Sequence, residues 1–184
     1  SRAARQAEFP ARFQLIAAMN PCPCGYAGHA NGRCRCTSEQ IQRYRARISG
    51  PILDRIDMHV DVPSLPFAEI RRMDCRAESS ASVRQRVIAA RQRQQARQGK
   101  PNAQLNNSEL QYGCRLDGAG QTLLDTAIER LGLSARAYHR ILRLARTIAD
   151  LAGADQPCTA HLAEAISYRR LDRRPDTIPT MSSA

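Results

Sequence analysis

Residues 134–152 constrain the fold more than any other part of the chain. Tyr138, Ile141, Leu142, Ala145, Ile148, Ala149 and Ala152 recur at i, i+3, i+4 and i+7, the spacing that lines one face of an α-helix. Arg136, Arg140 and Arg143 project from the opposite side, within about 60° of one another at ~100° per residue. A helix of this kind packs along one face and offers guanidinium groups from the other. Two readings of the basic face stand side by side. It is a solvated surface, or it is an anion site, because Arg136 falls in the opening turn, where unpaired backbone N–H groups favour phosphate. The tight Gly132–Leu133 link before it also permits a helix-turn-helix, with Arg136 and Arg140 leading a recognition helix, although many αα-hairpins share that pattern.

The rest of the second half reads as helical too. Residues 80–98 form a polar helix with a weak stripe of Val83, Val87, Ile88 and Ala90, stopped by Gly99-Lys100-Pro101. Residues 118–131 place Leu123, Leu124, Ala127, Ile128 and Leu131 on one face, and Gly132 followed by Leu133 spells a Schellman stop. Ser134 caps the helix at 135–151, and Thr159 caps a last one at 160–169. The first half differs. Phe13 to Met19 is a continuous apolar run suited to a strand buried on both faces, ended by Asn20-Pro21. A loop at 22–37 and a helix at 38–48 follow, the latter ended by Gly50-Pro51. Ile56, Met58, Val60 and Val62 then alternate with Asp57, His59 and Asp61 as in a half-buried strand. A domain boundary near 66–78 separates the two halves, and the tail beyond Arg174 lacks periodicity.

Charge narrows the function. The chain carries 28 basic and 17 acidic residues, a formal +11, with Lys100 its single lysine. Such an excess accompanies contact with phosphate in nucleotides or nucleic acid, though Arg-for-Lys exchange in a GC-rich genome gives a similar count. Aromatic residues make up only 4%, with no Trp, which argues against base stacking as the main mode of binding. No apolar run approaches the roughly 18 residues of a membrane span, so no membrane partner and a cytoplasmic location are expected. The helix at 80–98 carries Arg84, Arg86, Arg91, Arg93 and Arg97 with no acid from 79 to 100. It contacts DNA phosphates or is a solvated spacer.

Cys22-x-Cys24 and Cys34-x-Cys36 form two close pairs amid Pro, Gly and Asn. A glycine-bearing loop can bring four thiolates around one Zn2+, with His29 as a substitute ligand; free loop cysteines are the other reading. Cys75, Cys114 and Cys158 have no partner spacing.

A nucleotide enzyme of the P-loop type needs G-x-x-x-x-G-K-S/T. At the only lysine, Gln94 holds the first glycine position and Pro101 follows Lys100. No Asp-Glu pair follows an apolar strand. The chain also begins Ser1-Arg2-Ala3-Ala4, and a fragment, inactive alone, is expected.

FPARFQLIAAMNPCPCGYAGH, RYRARISGPILDRIDMHVDVP and LSARAYHRILRLARTIADL occur in that order over residues 1–172. Together they resemble the carboxy-terminal part of magnesium-chelatase-like AAA+ ATPases of the ComM competence group. The resemblance implies an α/β plus all-α chain: the end of an AAA+ core with its sensor 1 strand at 1–66, a helical lid at 67–172, and a flexible tail at 173–184. Asn20 then orients the attacking water or contacts the γ-phosphate, a task for an amide that both donates and accepts. Arg55 is the arginine finger reaching a neighbouring subunit, although a salt bridge with Asp54 or Asp57 would equally occupy it. Arg136 is the sensor 2 arginine, with Arg140 a weaker nucleotide-binding candidate. The implied cofactors are ATP and Mg2+, held mainly by residues upstream, and the implied partners are further copies in a hexameric ring and DNA undergoing branch migration during transformation. Two alternatives stand beside the helicase: a magnesium chelatase ATPase subunit, and a zinc-stabilised basic DNA-binding module without motor activity.

Overall fold

A computed structural model of the chain describes residues 13–29, 32–63, 65, 71 and 78–169. The expectations for Cys75 and the tail at 173–184 lie outside the described residues. The chain divides into two compact units, Ser1–Arg47 and Ile48–Ala184. The segment Gly50–Asp57 is therefore grouped with the helices that follow it.

In the first unit, the strand expected at 13–19 does not form a ladder. A strand is fixed by the backbone groups of a neighbour, and among the described residues none pairs with this run, whose Phe13, Leu15 and Ile16 are exposed. A turn closed by Gly25 N–H donating to the Cys22 carbonyl at 3.0 Å starts the Cys-rich loop. Helix α1 spans Ser38–Arg45, shorter than expected. Its cap is Thr37, which exchanges bonds with Gln40: the Gln40 N–H reaches Thr37 Oγ1 at 3.2 Å and the Thr37 N–H reaches Gln40 Oε1 at 3.0 Å. Arg45 Nε donates to the Pro21 carbonyl at 3.2 Å, tying α1 to the loop.

The second unit opens with α2, Gly50–Leu53, where Pro51 begins a helix instead of ending one. Proline is tolerated there because the first-turn N–H groups have no intrahelical acceptor. The second expected strand, 56–62, is also corrected. Its alternation does not sort into two faces: His59 is buried, while Met58, Val60 and Val62 are exposed along with Asp57 and Asp61, and no ladder forms among the described residues. The His59 N–H instead donates to the Tyr168 carbonyl at 2.8 Å, which draws the polar member inward. Among the described residues the regular structure is therefore helical, and the α/β part of the expected fold class is not seen.

Helix α3 is Ser80–Gln98 with Ser79 as its cap, a 3-10 turn covers Asn102–Gln104, and α4 is Asn107–Gly113. The pattern Asn106-x-x-Glu109 forms a reciprocal capping box for α4. Helix α5, Gly118–Leu131, ends at Gly132 with φ +60°, and the Leu133 N–H returns to the Ile128 carbonyl at 3.1 Å, the Schellman closure expected. Helix α6 is Ala135–Leu151 and α7 is Thr159–Ser167, with Cys158 rather than Thr159 at the cap position.

Helix α6 is the hub, packing against α3, α4, α7 and the 3-10 turn, while α5 packs on α7. Leu105, Leu110, Leu124, Ile141, Leu142, Ala145, Leu162 and Ala165 form the core. Full burial of each large aliphatic contributes about 1.5–3 kcal/mol. On α3, by contrast, Val83, Val87 and Ile88 are exposed, and the residues turned inward are Ala90 and Gln94.

Candidate functional site

Ser134 starts the site because it serves two elements. Its Oγ accepts the Ala137 N–H at 3.1 Å, capping α6, and donates to Asp54 Oδ1 at 2.9 Å. Two residues on, Arg136 Nη1 donates to Asp54 Oδ2 at 3.2 Å. Arg140, one turn later, donates through Nη1 to Asp57 Oδ1. From the end of α7 the buried Arg169 places Nη2 3.6 Å from Asp54 Oδ1 and donates through Nη1 to the Ile56 carbonyl. Three arginines thus converge on residues 54–57. Arg136 keeps 53% of its side-chain surface exposed, so an anion from solution can reach its guanidinium.

Arg55 sits between those aspartates, yet neither is its partner among the described contacts. Asp54 and Asp57 are engaged by the lid arginines, and Arg55 Nη1 donates to the Pro51 carbonyl at 2.9 Å from an exposed position. Asn20 is exposed and belongs to the first unit, whereas Arg55, Arg136 and Arg140 belong to the second. Arg143, the third arginine of the basic face, donates to the Leu105 carbonyl at 3.0 Å, and burial lowers its pKa from the ordinary value.

The basic helix α3 is more committed than its sequence shows. Arg97 makes a two-pronged pair with Asp150, Nη1 to Oδ1 at 2.6 Å and Nη2 to Oδ2 at 2.9 Å. Arg93 donates to the Gly153 carbonyl at 3.1 Å, and Arg86 pairs with Glu78 at 2.7 Å. Asp150 also takes Arg146 Nη2 at 2.7 Å and Asn102 Nδ2 at 2.8 Å, with both Arg146 and Asp150 side chains only 1% exposed. Arg146, Asp150 and Arg169 are the residues sequence reasoning missed. For the first two, an Arg-x-x-x-Asp pair lying on an apolar helix face was the available signal.

In the first unit, the sulfurs of Cys22, Cys24, Cys34 and Cys36 all lie within 4.8 Å of one another. Cys22 Sγ is 3.3 Å from Cys24 Sγ, and both are 3.7 Å from Cys34 Sγ. His29 is not part of this group. The Tyr26 and Arg35 amides, with the Cys22 thiol, bring the Cys24 pKa down from 9.0 to about 6. The Cys36 thiol, although the Cys24 amide works to lower it, is pushed up to about 12 by the Cys24 and Cys22 thiols and burial. Four thiols this close do not all ionise unless a cation compensates them.

The second unit is thus a helical domain whose central helix opens with an arginine, and the first carries a four-cysteine cluster. The family model described as "Magnesium chelatase, subunit ChlI C-terminal" matches residues 77–169, and that for "Magnesium chelatase, subunit ChlI" matches residues 1–70. The chain belongs to this ChlI-type magnesium chelatase family. It is 49% identical to the competence protein ComM of Haemophilus influenzae and 49% identical to YifB of Salmonella typhimurium, in each case over 94% of this chain and 34% of the relative. A protein of Mycobacterium tuberculosis is 38% identical over 90% of the chain and 33% of its own length. The chain thus spans about a third of the length of the curated relatives it matches. No described helix is long and apolar enough to cross a membrane.

Proposed function

We propose that this chain is the sensor- and lid-bearing part of an ATP-hydrolysing AAA+ motor that acts on DNA in the cytoplasm as a ring of identical subunits, a hexamer, promoting branch migration in recombination. The observation that carries the reading is the convergence of Ser134 and Arg136 on Asp54, immediately before Arg55. The contact links the first turn of α6 to the residue that precedes the finger candidate, which supports the reading. A change in what Arg136 binds is then felt at the backbone of Arg55.

In this reading Mg2+ and the triphosphate are held mainly by residues outside these 184. Asn20 orients the attacking water with its amide. Arg136, assisted by Arg140, donates to phosphate oxygens and reports occupancy through the lid. Arg55 leaves the Pro51 carbonyl to reach the adjoining subunit's nucleotide and stabilises charge on the transferring phosphoryl group. The contribution of such an arginine is large, about 10³–10⁵ in turnover.

The test is Arg55→Ala in the full-length protein, measuring ATP turnover with and without branched DNA and, separately, nucleotide affinity. The expected result is turnover reduced by at least about 10³ with affinity little changed. Wild-type turnover would remove the finger assignment. Stimulation by a porphyrin and not by DNA would shift the reading to a chelatase subunit.

A further inference from the structure

The Cys-rich loop is distinct from the nucleotide chemistry, and its geometry needs another explanation. We infer that Cys22, Cys24, Cys34 and Cys36 hold a single Zn2+ in a closed tetrahedral site, and that this ion organises the loop at 22–36. A Zn–S bond of about 2.3 Å fixes the sulfurs of a regular tetrahedron about 3.8 Å apart. The observed separations of 3.3, 3.7 and 3.7 Å, with all four within 4.8 Å, surround a space for one ion. They are too long for disulfides, whose S–S bond is about 2.05 Å. The cysteines are accordingly free.

The backbone is shaped for the same purpose. Gly25, at φ +81°, lets the chain fold back after the first Cys-x-Cys pair, a conformation a side chain would strain. The Ala27 N–H then donates to Cys22 Sγ at 3.3 Å, a bond of the kind that steadies a thiolate ligand. Arg33 and Arg35 flank Cys34 and border the recess beside Cys24 and Tyr26, where they offset the negative charge of a tetrathiolate site. Among the described residues of Ser1–Arg47, Cys22 is the one buried side chain, so the cysteine cluster is where this stretch turns inward.

Four protein ligands leave no open position, so the ion is structural and not a Lewis acid for catalysis. Zinc suits the site because it accepts four thiolates without geometric preference of its own and undergoes no redox change in the cytosol. The inference does not depend on the proposed motor activity, and it stands or falls by metal chemistry alone.

The experiment is metal analysis of full-length protein purified without chelators, alongside Cys22→Ser/Cys34→Ser and, as a control, Cys114→Ser. The wild type and the control are expected to retain about one zinc per chain more than the double variant. Replacement by Co2+ is expected to give the intense visible bands of a tetrahedral tetrathiolate in the wild type and to lose them in the double variant. Equal zinc in all three proteins would overturn the inference, as would two disulfides found by intact-mass measurement. Iron at that stoichiometry in place of zinc would overturn the choice of metal. Because the cobalt readout uses the wild type, a double variant that fails to fold does not protect the claim.

Discussion

Arg136 and Asp54 are joined at 3.2 Å although 82 positions separate them in the chain. The pair binds the first turn of α6 to the residue that precedes Arg55, and Ser134 and Arg169 reinforce it from either side. The arrangement means that an anion recruiting Arg136 competes with Asp54 for the same guanidinium.

That competition makes Arg136→Ala informative. The variant of the full-length protein is expected to bind ATP about tenfold more weakly, the loss of one charge-assisted contact of about 1.5 kcal/mol. Isothermal titration with a non-hydrolysable nucleotide checks it. Unchanged affinity and turnover would leave Arg136 with only its Asp54 contact.

The strength of the latch itself is measurable. Asp54→Ala, Arg136→Ala and the double variant form a cycle whose coupling energy is expected at about 0.2–1 kcal/mol, because half of the arginine side chain is in water. Urea unfolding curves supply the four stabilities. A coupling of several kcal/mol would show a pair too strong to yield to nucleotide.

The buried node around Asp150 is expected to behave differently. Asp150→Ala leaves Arg146 buried without its carboxylate and is expected to cost about 3–5 kcal/mol. The native pKa of Asp150 lies below its ordinary 3.8: burial opposes ionisation, but bonds from Arg97, Arg146 and Asn102 outweigh it. Because the folded value is the depressed one, this stabilisation is complete above the unfolded pKa of about 3.9 and fades as pH falls through the native value. The gap between the thermal melts of wild type and Asp150→Asn is expected to narrow as pH falls from neutral to about 3. A constant gap would contradict the depressed pKa.

Gly132→Ala gives a local test of the α5–α6 joint. At φ +60° an alanine is strained, and the variant is expected to lose about 1–2 kcal/mol. Nothing lies within 4 Å of the added methyl, so backbone conformation alone accounts for the loss. A neutral effect in chemical denaturation would count against the left-handed closure.

On α3 the arginines divide into two sets. If this helix follows DNA phosphates, Arg84→Gln/Arg91→Gln is expected to flatten the slope of log affinity against log salt by about 1.8 without altering stability. Arg97→Gln is expected to destabilise the fold, because its partner Asp150 is almost fully buried. Fluorescence anisotropy across a salt series separates the two. An unchanged slope in the Arg84/Arg91 variant would return α3 to the role of a solvated spacer.

Helices with strong local signals were legible in the sequence. Ser134 and Gly132 mark the joint where they were expected, and the periodicity at 135–151 corresponds to α6. Helix α4 went unread: Asn106-x-x-Glu109 was the available signal, but seven residues carry too little periodicity to stand out. The strands failed for a physical reason: Phe13–Met19 has the composition of a buried strand, but composition does not supply the neighbouring backbone that makes one. At the candidate site, Arg136 and Arg140 were visible as a basic face, whereas their engagement with Asp54 and Asp57 is tertiary. Arg146 was hidden because a charge on an apolar face is interpretable only once Arg97 and Asn102, from other elements, arrive to satisfy the same carboxylate.

Asp150 lies fourteen residues beyond Arg136 on one unbroken helix, about 21 Å along its axis. Clamped there to Arg97, α6 is tied to α3 at the end remote from Arg136, so the two basic helices share one buried anchor.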